Sequence, residues 1–70
     1  MEIFARRLKE LREEKGLTHK ALALELGLNG KSATANCEKG IREPEYEIFV
    51  KMAKIFNTTT DYLLGITDKR

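Results

Sequence analysis

The sequence predicts an all-α fold, a compact bundle of five short helices with no strand. Apolar residues recur at spacings of three and four in successive segments, the periodicity of helices that bury one face. Gly16, Gly27, Gly40, Asn57 and Gly65 each follow such a segment, and these residue types close helices because they tolerate the left-handed backbone conformation. One cysteine and one histidine in 70 residues supply neither a disulfide nor a Cys/His metal quartet, so packed helices must hold so small a chain together.

Ile3, Phe4, Leu8 and Leu11 form the apolar face of the first helix, with Arg6, Lys9, Glu10, Glu13 and Glu14 mostly between them. Lys15 suits the negative end of that helix's dipole, and Gly16 stops it. Thr18 offers a hydroxyl to the orphan N–H groups of a second helix, about 18–26, in which Ala21, Leu22, Ala23 and Leu26 keep the spacing. Gly27 ends it, and Leu28-Asn29-Gly30 connects it to a third helix from about Lys31 to Lys39. Asn29-Gly30 is also a hairpin signal, but its flanks lack the alternation of strands, so it reads as a helix-to-helix turn.

Gly40 closes the third helix and Ile41-Arg42-Glu43 form a loop. Pro44 is expected in the first turn of a fourth helix, where its missing N–H does no harm, and Glu45 and Glu47 suit that start. Tyr46, Phe49, Val50, Ala53 and Phe56, joined by Met52, trace one apolar face with Lys51 and Lys54 toward water, a pattern expected of the central core helix. After Asn57, Thr59 or Thr60 caps a last short helix through Asp61-Tyr62-Leu63-Leu64, which Gly65 ends. Residues 1–66 are expected to form the domain and 67–70 a tail, frayed or the stub of an interface.

Composition excludes several classes. A chain of 70 residues makes one domain with a small core, and 41% apolar with 34% charged residues is ordinary for a soluble protein. No stretch approaches the ~18 apolar residues of a membrane span. Met1 to Arg7 lack the apolar core of an export signal, so a cytoplasmic protein with no membrane partner is expected, and the sequon Asn57-Thr58-Thr59 has no consequence there. The formal charge of +2 is too mild to name a partner by itself. Its distribution is more telling: from Lys15 to Arg42 the cations Lys15, Lys20, Lys31, Lys39 and Arg42 face only Glu25 and Glu38.

Gly27-Leu28-Asn29-Gly30-Lys31-Ser32 invites comparison with a phosphate-binding loop, but the first glycine of that pattern falls on Glu25, whose carboxylate repels phosphate, and no strand precedes it. No nucleophile, base and orienting group stand together, so no enzyme, cofactor or metal is expected. The two short helices around Gly27 fit a helix-turn-helix, in which the first lies across the DNA backbone and the second enters the major groove. Small Ala23 lets the helices cross closely, Gly27 makes the sharp turn, and Lys31, Ser32, Ala35, Asn36 and Lys39 occupy the outer face of the second.

The segments Leu11-Arg12-Glu13-Glu14-Lys15-Gly16-Leu17-Thr18, Ala23-Leu24-Glu25-Leu26-Gly27, Asn36-Cys37-Glu38-Lys39-Gly40 with Arg42 and Pro44, and Asp61-Tyr62-Leu63-Leu64-Gly65 stand in a telling order. In that order and spacing the chain resembles, over nearly its whole length, the lambda-repressor-like DNA-binding domains of the Cro and phage-repressor type, the Xre family. The resemblance implies a sequence-specific regulator of transcription that binds double-stranded DNA, a repressor of bacterial or phage type. It implies a homodimer on a two-fold operator, with two third helices ~34 Å apart. It makes Lys31, Ser32 and Asn36, with Ala35 between them, candidates for base edges; Lys can donate to guanine, Asn can pair with adenine, and Ala can touch a thymine methyl. His19 takes the place of a phosphate-contacting glutamine at a helix start whose N–H groups favour phosphate, and Lys39 and Arg42 are further backbone candidates.

The chain departs from that family at three points. The turn before the third helix is one residue longer, so either Asn29 or Gly30 begins the helix. Thr34 replaces a large aliphatic residue and Cys37 an aromatic or aliphatic one, and at ~0.8 kcal/mol per lost CH₂ the pair removes a few kcal/mol of burial. Cys37 is expected to be a small buried plug rather than a redox sensor, and His19, apart from its phosphate role, a polar surface group. Arg6, Arg7, Lys9 and Arg12, interleaved with Glu2, Glu10, Glu13 and Glu14, read as a solvated, salt-bridged face rather than a DNA contact. Two rival functions stand beside the regulator: an antitoxin that binds a protein partner and its own promoter, and an interaction module that has lost DNA binding. A protein partner such as a toxin or a polymerase belongs to these alternatives.

Overall fold

The computed structural model describes residues 2–70; Met1, where the expected domain begins, lies outside the described residues. Five helices follow in order: α1 (Glu2–Glu14), α2 (His19–Leu26), α3 (Lys31–Glu38), α4 (Tyr46–Ile55) and α5 (Thr60–Leu64), with no strand among the described residues. The all-α expectation holds, and a radius of gyration of 10.7 Å agrees with the ~11 Å of a folded domain of this length.

The helix boundaries follow from cap chemistry. The Thr18 hydroxyl accepts from Ala21 N–H at 3.0 Å and the Thr59 hydroxyl from Tyr62 N–H at 3.0 Å, so of the two candidate threonines Thr59 caps α5. All five helices end on one pair of bonds, in which the left-handed residue's N–H donates to the carbonyl three positions back and its successor's N–H to the carbonyl five positions back. At the end of α2, Gly27 donates to Leu24 at 3.1 Å and Leu28 to Ala23 at 2.9 Å, with Gly27 at φ 75°. A side chain there would be strained, which is why glycine occupies the turn that redirects the chain from α2 to α3. Asn57, at φ 53°, does the same after α4.

The core joins Phe4, Leu8 and Leu11 of α1, Leu22 and Leu26 of α2, Cys37 of α3, Met52 and Ala53 of α4, and Tyr62 and Leu63 of α5. Three expectations need correction. Tyr46 is 82% exposed and Ile3 43% exposed, so neither belongs to the core face assigned to it. Pro44 lies outside α4, whose N-cap is Glu45; proline there fixes the approach of the loop instead of serving the first turn. The central helix is α1, which buries Phe4, Ala5, Leu8 and Leu11, whereas α4 buries only Met52 and Ala53 and packs Ile48, Phe49 and Ile55 at the core's edge.

Nor is the C-terminal segment frayed. Arg7 donates to the carbonyls of Tyr62 and Thr67 and pairs with Asp68 at 2.7 Å, while its guanidinium stacks 4.2 Å from the Tyr62 ring centroid. Arg70 forms a two-pronged pair with Glu14. Backbone carbonyls are the main anchors, and such partners leave no trace in side-chain patterning.

Candidate nucleic-acid interface

The second helix of the central pair is held by what lies beneath it. Thr34 is fully buried, and its hydroxyl lies 3.0 Å from the carbonyls of both His19 and Lys31, so its single proton serves one or the other. The residue that shortens the apolar packing thus keeps its buried hydroxyl satisfied, with the start of α2 and the first turn of α3 both within its reach. Cys37, 3% exposed, fills the next inward position, and burial pushes its thiol above the usual range, against the opposing influence of Arg42. The small-plug expectation for Cys37 agrees with this placement. Gly30, at φ 108°, is the N-cap of α3, which resolves the choice between Asn29 and Gly30.

With Thr34 and Cys37 inward, positions 32, 35, 36 and 39 share the opposite side, since residues three, four and seven apart lie on one stripe. Ser32 and Lys39 on it are exposed, and Ala35 and Asn36 half-buried; Lys31 is exposed at the first turn. The only acid in α3 is Glu38, and it is withdrawn from this surface with a side chain 5% exposed. Arg12 holds both its oxygens, Nε to Oε2 at 2.6 Å and Nη2 to Oε1 at 3.2 Å, and also donates to the Leu17 carbonyl at 2.7 Å. The bond to Glu38 holds the Arg12 guanidinium more firmly cationic, against the desolvation that opposes it.

The three backbone candidates divide between the flanks of α3. On one flank, His19 and Lys39 line a shallow concavity with Lys9, Ala35 and the Arg12–Glu38 pair. His19 is not the free surface group expected: its Nε2 lies 3.1 Å from Glu38 Oε1 without the alignment of a hydrogen bond, and the ring is turned toward α3. On the other flank, exposed Arg42 borders a small cavity with Ala33, Cys37 and Pro44, and its N–H donates to the Asn36 carbonyl at 3.3 Å. The result is a polar stripe free of acids with cations on both sides.

The helix-turn-helix family pattern matches residues 8–63, which takes in all of α2 to α4 and most of α1 and α5. The chain belongs to the helix-turn-helix family. Among curated proteins it is 38% identical over 60 residues to the HTH-type transcriptional regulator ImmR of Bacillus subtilis, covering 86% of this chain and 46% of ImmR. The chain therefore spans about half the length of the curated relatives it matches. Among solved structures, the restriction-modification controller protein C.AhdI of Aeromonas hydrophila superposes with a TM-score of 0.78 at 32% identity, over 89% of this chain and 92% of that one. The N-terminal DNA binding domain of SinR from Bacillus subtilis gives 0.80 at 25% identity, over 91% and 93%.

In this fold, sequence reasoning missed the Arg12–Glu38 pair and the use of Arg7. Both arginines were assigned to a solvated face, yet their side chains are only 12% and 11% exposed. Glu38 carried a signal: an acid in the last turn of a helix opposes the dipole and calls for a cationic partner. Arg7 carried none, because it binds backbone carbonyls. Among the described residues no helix is long and apolar enough to cross a membrane, and no group of three or more His, Cys, Asp or Glu stands ready to hold a metal.

Proposed function

We propose that the chain is a sequence-specific DNA-binding transcriptional regulator of the repressor type, which lays α3 in the major groove. The observation that carries this reading is the stripe Ser32, Ala35, Asn36 and Lys39, free of acids and bracketed by His19 on one flank and Arg42 on the other. A helix in the major groove has base edges in front of it and a phosphate backbone on each side, so this division of chemistry is the one DNA demands. Lys31, Ser32, Ala35 and Asn36 face base edges in this reading; His19, Lys39 and Arg42 meet phosphates. The names of the relatives, a transcriptional regulator and a DNA-binding domain among them, support it.

The same reading makes the protein a cytoplasmic homodimer without catalytic activity, in a domain of residues 1–66. Dimerisation is supported by the apolar surface around Gly65: Ile3 packs against this glycine, a Cβ at which would stand 2.9 Å from Ile3 Cγ2, while Leu64 and Ile66 beside it stay exposed. Alanine substitution tests the base contacts. Asn36→Ala or Ser32→Ala is expected to weaken binding to the selected site by ~1–3 kcal/mol and to leave random DNA unaffected. Equal losses on both DNAs would move that residue to the phosphates, and no loss on either would remove it from the interface.

A further inference from the structure

We propose that the seam between α1 and α3 is an additional seat for the DNA backbone, in which Lys9 and Arg6 of α1 hold phosphodiester groups outside the helix-turn-helix unit. The inference rests on the DNA-binding reading above and extends it to a helix that interleaved charges had marked as merely solvated.

The fold sorts those interleaved charges. Arg7 is spent on the Tyr62 and Thr67 carbonyls and Asp68, Arg12 on Glu38, and Glu14 on Arg70. Arg6 and Lys9 form no ion pair among the described residues, and both are exposed. They line one side of an open cleft whose other side is Lys39 and Gly40 at the end of α3. The acid at its floor, Glu38, is balanced by the two-pronged Arg12 pair, so the rim carries Arg6, Lys9 and Lys39 against Glu2 alone. Glu10 and Glu13, one and two turns beyond Arg6, line neither part of the seam.

The seam runs on into the concavity where Lys9 meets His19, Lys39 and Ala35, and Ala35 and Lys39 belong to the α3 stripe. A duplex that presents base edges to the stripe therefore brings a backbone strand to this same rim. Small residues, Ala5, Ala35 and Gly40, keep the cleft open between the cations. Excess positive charge in an open, unpaired cleft matches a polyanion whose charges repeat along a strand.

The test measures affinity against salt for the wild type, Lys9→Ala, Lys9→Gln and Arg6→Ala, with Lys54→Ala on α4 as the remote control. Each phosphate contact removed is expected to lower the slope of log K against log salt by ~0.9 and to weaken binding about fivefold to tenfold at ~0.1 M salt. The loss is to be equal on selected and random duplexes, with thermal unfolding unchanged because both side chains are exposed. The double variant Arg6→Ala/Lys9→Ala is expected to lower the slope by about twice as much. Lys9 variants that keep the wild-type slope, while the wild type binds DNA in a salt-dependent manner, would overturn the seam and leave the DNA reading intact. A wild type that binds no duplex overturns both.

Discussion

Cys37 and Thr34 show how a single atom changes the reading of a position. Both were legible as interior residues from their place on α3, but the cost assigned to Thr34 counted only lost methylene groups. Its hydroxyl instead bonds the His19 or Lys31 carbonyl, a contact whose acceptor is backbone and so invisible in the sequence. For Cys37 the direction of its titration gives a prediction. Burial raises the thiol in the folded state, so the unfolded state ionises first as pH rises. The contribution of this group is fully present below the unfolded thiol's ~8.5 and is lost as pH climbs toward the folded value. Thiol labelling of the native protein at neutral pH should be slow and become fast in denaturant; rapid native labelling would contradict the buried placement.

Between elements, the Arg12–Glu38 pair fixes the angle at which α3 leaves the bundle. It joins the central helix to the helix that carries the stripe, and its exposure of 12% and 5% makes it an interior ion pair. Arg12→Ala strands the Glu38 carboxylate beside α3, and an uncompensated buried charge costs about 3–5 kcal/mol. Urea unfolding should therefore show a large loss for Arg12→Ala and a much smaller one for the exposed Lys20→Ala. Helix existence and order, and the threonine caps and glycine stops, were legible here because threonines, glycines and spacing act locally. The partners of Arg7 and Arg12 were not, since each lies far along the chain and one set is backbone. The same locality explains Tyr46: periodicity placed it on a helix, but only the packing of α4 against α2 and α5 decides that the first turn projects past the core.

At the scale of the whole molecule, the tail is tied to α1. The hydrogen bond from Arg70 holds the Glu14 carboxyl below its ordinary value. A depressed carboxyl contributes above its unfolded value of ~4.3 and loses that contribution as pH falls through the folded value, so acidification should free Lys69 and Arg70. Their amide order parameters would fall at acid pH, and Glu14→Gln would reproduce the loss at neutral pH. Fold class and the outer stripe of α3 were readable in advance; the division of cations between its flanks was not, because it depends on where α1 and the α3–α4 loop come to rest.

On the proposed function, this surface chooses among DNA sequences. Selection of bound duplexes from a random pool tests it most directly. One recurring half-site, repeated in inverted orientation about one helical turn apart, is expected to be enriched, with that enrichment lost at individual positions in Ser32→Ala or Asn36→Ala. A pool that stays random after repeated rounds at moderate salt would contradict it.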